Sequence, residues 1–155
     1  MESVIIDDGA KIADDVTIGP FCLIGKDIEL KSGCSLESNV VLKGKIRVDE
    51  DVRIFSFTAT GHEYSEIEIG TKTYIREFSQ IGSQESEKGI SKKIIIGANN
   101  FLMGYVQILS RVTLGDYCIL TNAVRLNENV KCEERVTTST LKHHLIPYIT
   151  QCNGL

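Results

Sequence analysis

Three histidines, His62, His143 and His144, are the side chains of this 155-residue sequence whose ordinary pKa lies close to neutral, so proton-transfer chemistry begins with them. His62 closes the run Thr58-Ala59-Thr60-Gly61-His62, with Glu63 and Glu66 close behind. A carboxylate commonly holds the tautomer of such an imidazole. That makes His62 the candidate general base, taking a proton from an attacking hydroxyl. His143 and His144 stand side by side in Lys142-His143-His144 and read as a solvated segment. A catalytic zinc needs three converging protein ligands; with two of the three histidines adjacent, no metal site is expected. Of the five cysteines, Cys22, Cys34, Cys118 and Cys132 fall on inward positions of the repeat described next, where a free thiol packs as a small hydrophobe. No CxxC spacing appears, and Cys152 lies outside the repeat.

The element that must position these residues is a repeat of six. Counting in sixes from Ile6 meets Ile12, Ile18, Ile24, Leu30, Leu36, Leu42, Val48 and Ile54; the frame resumes at Ile69, Ile75 and Ile81, and again at Ile96, Leu102, Ile108, Leu114, Leu120, Leu126 and Cys132. Four residues after most leads sits a small or β-branched side chain, as at Val16, Val40, Val106 and Val124. A fixed hexapeptide period marks an all-β solenoid, a parallel β-helix with one short strand and one corner per repeat and three repeats per triangular coil. Nineteen such leads make about six coils, stacked at roughly 4.8 Å. An ordinary sandwich would show a period of two and irregular turn spacing. The third residue after the lead is Gly, Asn or Asp at Gly9, Asp15, Asp27, Gly33, Asn39, Asp51, Asn99 and Asn129. These types enter the left-handed backbone region most readily, so the corners are expected there.

The frame breaks at loops near residues 60–66 and 83–93, and after Thr137 it fades through Leu145-Ile146-Pro147-Tyr148. The expected organisation is a β-helix over 1–138 and a C-terminal exit segment over 139–155. Side chains in the coils are committed to stacking, so function is expected at the insertions. With 42% hydrophobic residues the chain reads as one domain. A net charge of -4 and the lack of a basic stripe argue against nucleic acid as the main partner. No apolar run approaches a membrane span. Because the repeat begins close to Met1, no signal peptide is expected, and with the cysteines read as free thiols a cytoplasmic location is expected.

Ile18-Gly19-Pro20-Phe21-Cys22, then Ile75-Arg76-Glu77, then Asn100-Phe101-Leu102-Met103 followed by Tyr117-Cys118-Ile119-Leu120 resemble, in order and spacing, the UDP-N-acetylglucosamine O-acyltransferases of lipid A synthesis. Pro147-Tyr148 resembles the exit peptide of hexapeptide acyltransferases. The resemblance implies a left-handed winding and a homotrimer with sites in the grooves between subunits. It also implies an acyl-CoA or acyl-carrier-protein thioester as donor substrate, with no bound cofactor, and a sugar or nucleotide sugar as acceptor. The family's His-x-x-His base segment matches Gln107 and Ser110, a further family histidine lies near the matching Asn129, and the family's C-terminal helical domain has no counterpart in these residues. Neither an amide nor an unassisted hydroxyl takes a proton near neutral pH, and losing a general base costs about a hundredfold to ten-thousandfold in rate. The run from Thr58 to His62, followed by Ile67-Glu68-Ile69-Gly70, is in turn similar to the loop of sugar-modifying hexapeptide acetyltransferases, whose histidine is the base and whose donor is acetyl-CoA.

Two functions follow. One is an acyltransferase-family enzyme that moves an acyl or acetyl group from a thioester to a sugar or nucleotide sugar, with His62 as base. The other is a catalytically retired trimer that binds or scaffolds, with a groove lined by Tyr105, Gln107, Ser110, Arg125 and Asn129.

Overall fold

A computed structural model describes residues 3–82 and 93–138 and the backbone of 149–152. Strands of two to four residues, and one of eight, alternate with tight corners, and every pairing between them is parallel. Three faces result. The first carries Ile5–Ile6, Leu23–Ile24, Val41–Leu42, Ala59–Thr60, Gln80–Ile81, Gln107–Ile108 and the start of Arg125–Cys132. The second carries Lys11–Ile12, Ile28–Leu30, Lys45–Val48, Glu66–Ile69, Ile94–Ile96, Thr113–Leu114 and the end of Arg125–Cys132. The third carries Thr17–Ile18, Ser35–Leu36, Arg53–Ile54, Tyr74–Ile75, Phe101–Leu102 and Ile119–Leu120, extended by a bridge from Ile119 to Thr137.

The period of two within each short strand sends one residue inward and the next outward. Every lead from Ile24 to Cys132 is buried in one continuous core, whereas Ile6 is 47% exposed because no coil covers the first one. The prism is closer to seven coils than to six. Two leads are threonines, Thr60 and Thr138, both buried, and a search for aliphatic leads passes over them. Nine residues separate Thr60 from Ile69 and fifteen separate Ile81 from Ile96, where a regular hexad would have six.

The small inward position does more than pack. Cys22, Cys34 and Cys118 donate through sulfur to the carbonyls of Glu37, Asp49 and Glu133 in the following coil, at 2.9, 3.0 and 3.1 Å. Thr58, Thr73 and Ser79 do the same through hydroxyls to Arg76, Gly97 and Met103. Buried Asn100 donates to the carbonyls of Gly97 and Gly115 and accepts the Cys118 N–H. Each satisfies a corner carbonyl that the strand ladder leaves over. Burial pushes the Cys22 and Cys34 thiols up, keeping them neutral.

The corners fall at the third residue after the lead, but not on the expected residue types alone. Gly9, Gly33, Asn39, Asp51, Asn99 and Asn129 have positive φ; Asp15 and Asp27 do not. The Asp15 carboxylate instead accepts from the Ser32 hydroxyl and the Gly33 N–H of the coil below, while the Asp27 carbonyl accepts the Ile46 N–H. Phe21, Phe57, Phe78, Tyr105 and Tyr117 enter the left-handed region instead, as do Lys72 and Arg111. Bulky residues rarely do so.

His143, His144, Pro147 and Tyr148 lie outside the described residues, as does most of the expected 83–93 loop. The backbone of 149–152 pairs in parallel with Arg125–Cys132, with Leu126 opposite Ile149 and Cys132 opposite Cys152.

Candidate functional site

Both interruptions of the repeat leave the prism at one corner, between the first and second faces, in neighbouring coils. The first is confined to residues 61–65, between Ala59–Thr60 and Glu66–Ile69. The second starts after Gly82 and rejoins at Ile94–Ile96. Gly44, Gly61 and Gly82 stack there with φ of 87°, 71° and 105°. A Cβ on Gly61 would overlap the Lys43 carbonyl oxygen, and one on Gly44 would overlap the carbonyl of His62. At Gly44 and Gly61 the backbones approach too closely for any other residue, and at Gly82 a Cβ would lie 3.2 Å from the Gly61 backbone.

His62 is half-buried at the head of this loop. Its N–H donates to the Ser65 hydroxyl at 3.1 Å and its carbonyl accepts the Ser65 N–H at 2.9 Å, closing a tight turn. The Tyr64 N–H donates to Nδ1 at 3.3 Å. In the neutral imidazole an Nδ1 that accepts leaves the proton on Nε2, and Nε2 is itself buried. Glu66 pairs with Lys45 at 3.5 Å. A backbone amide therefore occupies the nitrogen at which a carboxylate would have fixed the opposite tautomer.

The five residues expected to line a groove fall on two neighbouring rungs, spread over the first face and its two corners. Gln80, Gln107 and Arg125 are in register, and Arg125 Nη1 donates to Gln107 Oε1 at 3.3 Å. Ser110 lies at the loop corner, 1% exposed, with its carbonyl accepting the Asn129 N–H at 3.2 Å. Asn129 is exposed beside it, next to an Arg111–Glu128 ion pair at 2.7 Å. Tyr105 stands at the other end of the Gln107 strand, 60% exposed. His62 is two rungs from Ser110 along the loop corner, about 10 Å at the strand spacing. The structure thus brings Gln107 and Arg125 into contact and sets Tyr105 and Asn129 on either flank. It withdraws Ser110 from the surface and keeps His62 apart from the group.

One feature of this flank escaped the sequence reading. Phe57, Phe78 and Tyr105 form a stacked ladder along the corner between the third and first faces, with centroids 5.2 and 5.1 Å apart and rings within 10° of parallel. The signal was available: an aromatic residue recurs at the third place after a lead at Phe21, Phe57, Phe78, Tyr105 and Tyr117. Among the described residues no three His, Cys, Asp or Glu side chains converge as a metal site, and no helix is long and apolar enough to cross a membrane.

No protein-family model matches the chain. Two curated proteins named acyl-[acyl-carrier-protein]–UDP-N-acetylglucosamine O-acyltransferase are similar to it. The one from Saccharophagus degradans is 34% identical over 130 residues, covering 77% of this chain and 49% of its own length. The one from Thermodesulfovibrio yellowstonii is 30% identical over 142 residues, covering 86% and 54%. The chain spans about half the length of these relatives. A crystal structure of a UDP-N-acetylglucosamine acyltransferase superposes with a TM-score of 0.80 at 36% identity, over 89% of this chain and 56% of that one. LpxA from Acinetobacter baumannii follows at 0.66 and 25% identity, over 86% and 62%. Coils of opposite hand would not superpose in this way. The chain is a left-handed parallel β-helix of the hexapeptide-repeat kind, a relative of the UDP-N-acetylglucosamine O-acyltransferases over about half their length.

Proposed function

We propose that this chain binds an acyltransferase-type ligand, a nucleotide sugar or the acyl thioester that would modify it, without transferring the acyl group. The observation that carries this reading is the setting of His62. A general base must present a lone pair within hydrogen-bond reach of the hydroxyl it deprotonates; here Nδ1 accepts from the Tyr64 amide and Nε2 is buried. On the groove flank, Gln107 and Arg125 offer hydrogen bonds and charge, suited to holding sugar hydroxyls or phosphate, and neither accepts a proton near neutral pH. Tyr105 adds an exposed ring. The same reading is supported by Gln107 and Ser110, an amide and a hydroxyl at the positions that match the histidines of the family's base segment.

Assembly as a homotrimer belongs to this proposal. Phe21, Phe57, Phe78 and Tyr105 expose about half of each side chain along one edge, and closed cyclic symmetry covers such edges while leaving grooves between subunits. A second reading, acyl or acetyl transfer with His62 as base, is favoured by one observation: the His62 loop leaves from the same corner that carries Ser110 and Asn129.

Thiol release from acetyl-CoA and from acyl-carrier-protein thioesters, with UDP-N-acetylglucosamine and a panel of amino sugars as acceptors, separates the two. Wild type and His62→Ala are compared beside calorimetric binding to wild type and Arg125→Ala. Saturable binding weakened in Arg125→Ala, with thiol release at the blank rate for both proteins, is expected. Release that depends on His62 would establish transfer instead, and absence of binding by every ligand would overturn both readings.

A further inference from the structure

The third face carries a second cluster, remote from the Gln107 flank and independent of the function proposed for it. Arg53, Tyr74 and Phe101 are in register on three successive rungs of that face. Beside them, on the corner joining the second and third faces, stand Asp51, Lys72 and Asn99, also one per rung, linked by the Lys72 N–H to Glu50 carbonyl and Asn99 N–H to Thr71 carbonyl bonds. The six side chains line an open cleft of about 520 Å³, within the range of small-molecule sites.

The chemistry of this grid is specific. Tyr74 and Phe101 pack with centroids 5.9 Å apart, and the Arg53 guanidinium lies 5.6 Å over the Tyr74 ring. Among the described residues neither Arg53 nor Lys72 has a carboxylate within ion-pair distance, although Lys31, Lys45, Arg47, Arg76, Lys93 and Arg111 all do. Lys72 holds φ of 55°, in the region where Gly or Asn would be cheaper. At the head of the cleft the Asp51 carboxylate rests over Gly33, in space that any Cβ there would fill.

We propose that this cleft binds a nucleoside phosphate. A flat base lies against the Tyr74 and Phe101 rings with its edge toward the Asn99 amide. The phosphate pairs with Arg53 and Lys72, which have no counter-ion among the described residues, and the Asp51 carboxylate accepts the ribose hydroxyls. Neither an apolar ligand nor a bare anion uses both the rings and the carboxylate.

Nuclear magnetic resonance and calorimetric titration with adenosine monophosphate, uridine monophosphate, adenosine and inorganic phosphate test this on the intact chain. The expected result is saturable binding of a monophosphate, at least about tenfold weaker for adenosine or phosphate alone, and about tenfold weaker in Lys72→Ala and Arg53→Ala. All of these side chains are at the surface, and circular dichroism checks that each variant keeps the wild-type fold. Tyr74→Ala is expected to lose the preference for monophosphate over phosphate, and Lys131→Ala, at an exposed position of the second face, to bind as wild type. The proposal is overturned if phosphate binds as well as the nucleotides, if no nucleotide saturates the protein, or if binding survives Lys72→Ala but is lost in Lys131→Ala.

Discussion

At the corner between the third and first faces the backbone enters the left-handed region on Phe57, Phe78 and Tyr105; at the corner between the first and second faces it does so on Gly44, Gly61 and Gly82. Both corners turn the same prism through the same angle. The aromatic corner is uninterrupted, so each residue has a neighbour one rung away. Its N–H donates to the coil above, Phe57 to Ser38, Phe78 to Ser56 and Tyr105 to Glu77, and its ring stacks on the next. Those contacts hold a bulky residue where it seldom sits. At the glycine corner loops leave the stack, and backbones come within overlap distance of a Cβ on Gly44 or Gly61. At these two positions regular coils support bulky residues by stacking, and the interrupted corner admits only glycine where backbones meet.

The largest effect should come from Gly61→Ala. The new methyl group meets the Lys43 carbonyl at a φ of 71°, and a loss of about 3 kcal/mol is expected in a denaturant melt. A smaller loss than that of the next variant would reverse the ranking of the two corners. Phe78→Ala removes two stacked pairs and should cost about 1–3 kcal/mol, with Phe57→Ala and Tyr105→Ala each costing roughly half. If Phe78→Asn were instead more stable than wild type, backbone preference and not stacking would govern that corner.

Thr60 tests the last regular rung before the first loop. Its hydroxyl is buried and, among the described residues, has no hydrogen-bond partner. Thr60→Val keeps the shape and should raise stability by about 1 kcal/mol; a loss would mean that the loop corner draws on that hydroxyl. The smallest effect concerns the remaining corner. The Ser32 hydroxyl, helped by the Gly33 N–H and opposed by desolvation, holds the Asp15 carboxyl below its ordinary value. A lowered folded pKa contributes stability that is present above the unfolded value and disappears as pH falls through the folded one. Carboxyl shifts followed by nuclear magnetic resonance should show Asp15 titrating below the ordinary aspartate range, and Ser32→Ala should return it to that range.

Much of the fold was legible because burial leaves a period. The leads from Ile24 to Cys132 recur in sixes because each fills the same place in a stack, and all of them are buried. Thr60 and Thr138 were passed over because a hydroxyl does not look like a core residue, so about one coil went uncounted. Cys22, Cys34, Cys118 and Cys132 are buried as their places in the repeat predict, but the donation of Cys22, Cys34 and Cys118 to corner carbonyls depends on the offset between coils. At the candidate site the proximity of Gln107 to Arg125 follows from the repeat, since eighteen residues make one coil. The orientation of His62 does not follow from it, because that side chain lies in a segment where the repeat has stopped and only local hydrogen bonds set its direction.

By itself the sequence determined the period, the inward residues, the points where the coil is interrupted and the absence of a histidine at Gln107 and Ser110. Each of these is carried by residue type at fixed spacing, and hydrophobic burial turns such a pattern directly into structure. Only the tertiary structure decided that both loops leave one corner, that aromatic rings line another, and that His62 turns its Nδ1 toward the Tyr64 amide. Those outcomes depend on which atoms of adjacent coils come opposite one another. That alignment is set by coil stacking across separations of 18 to 27 residues, which no local run of residues encodes.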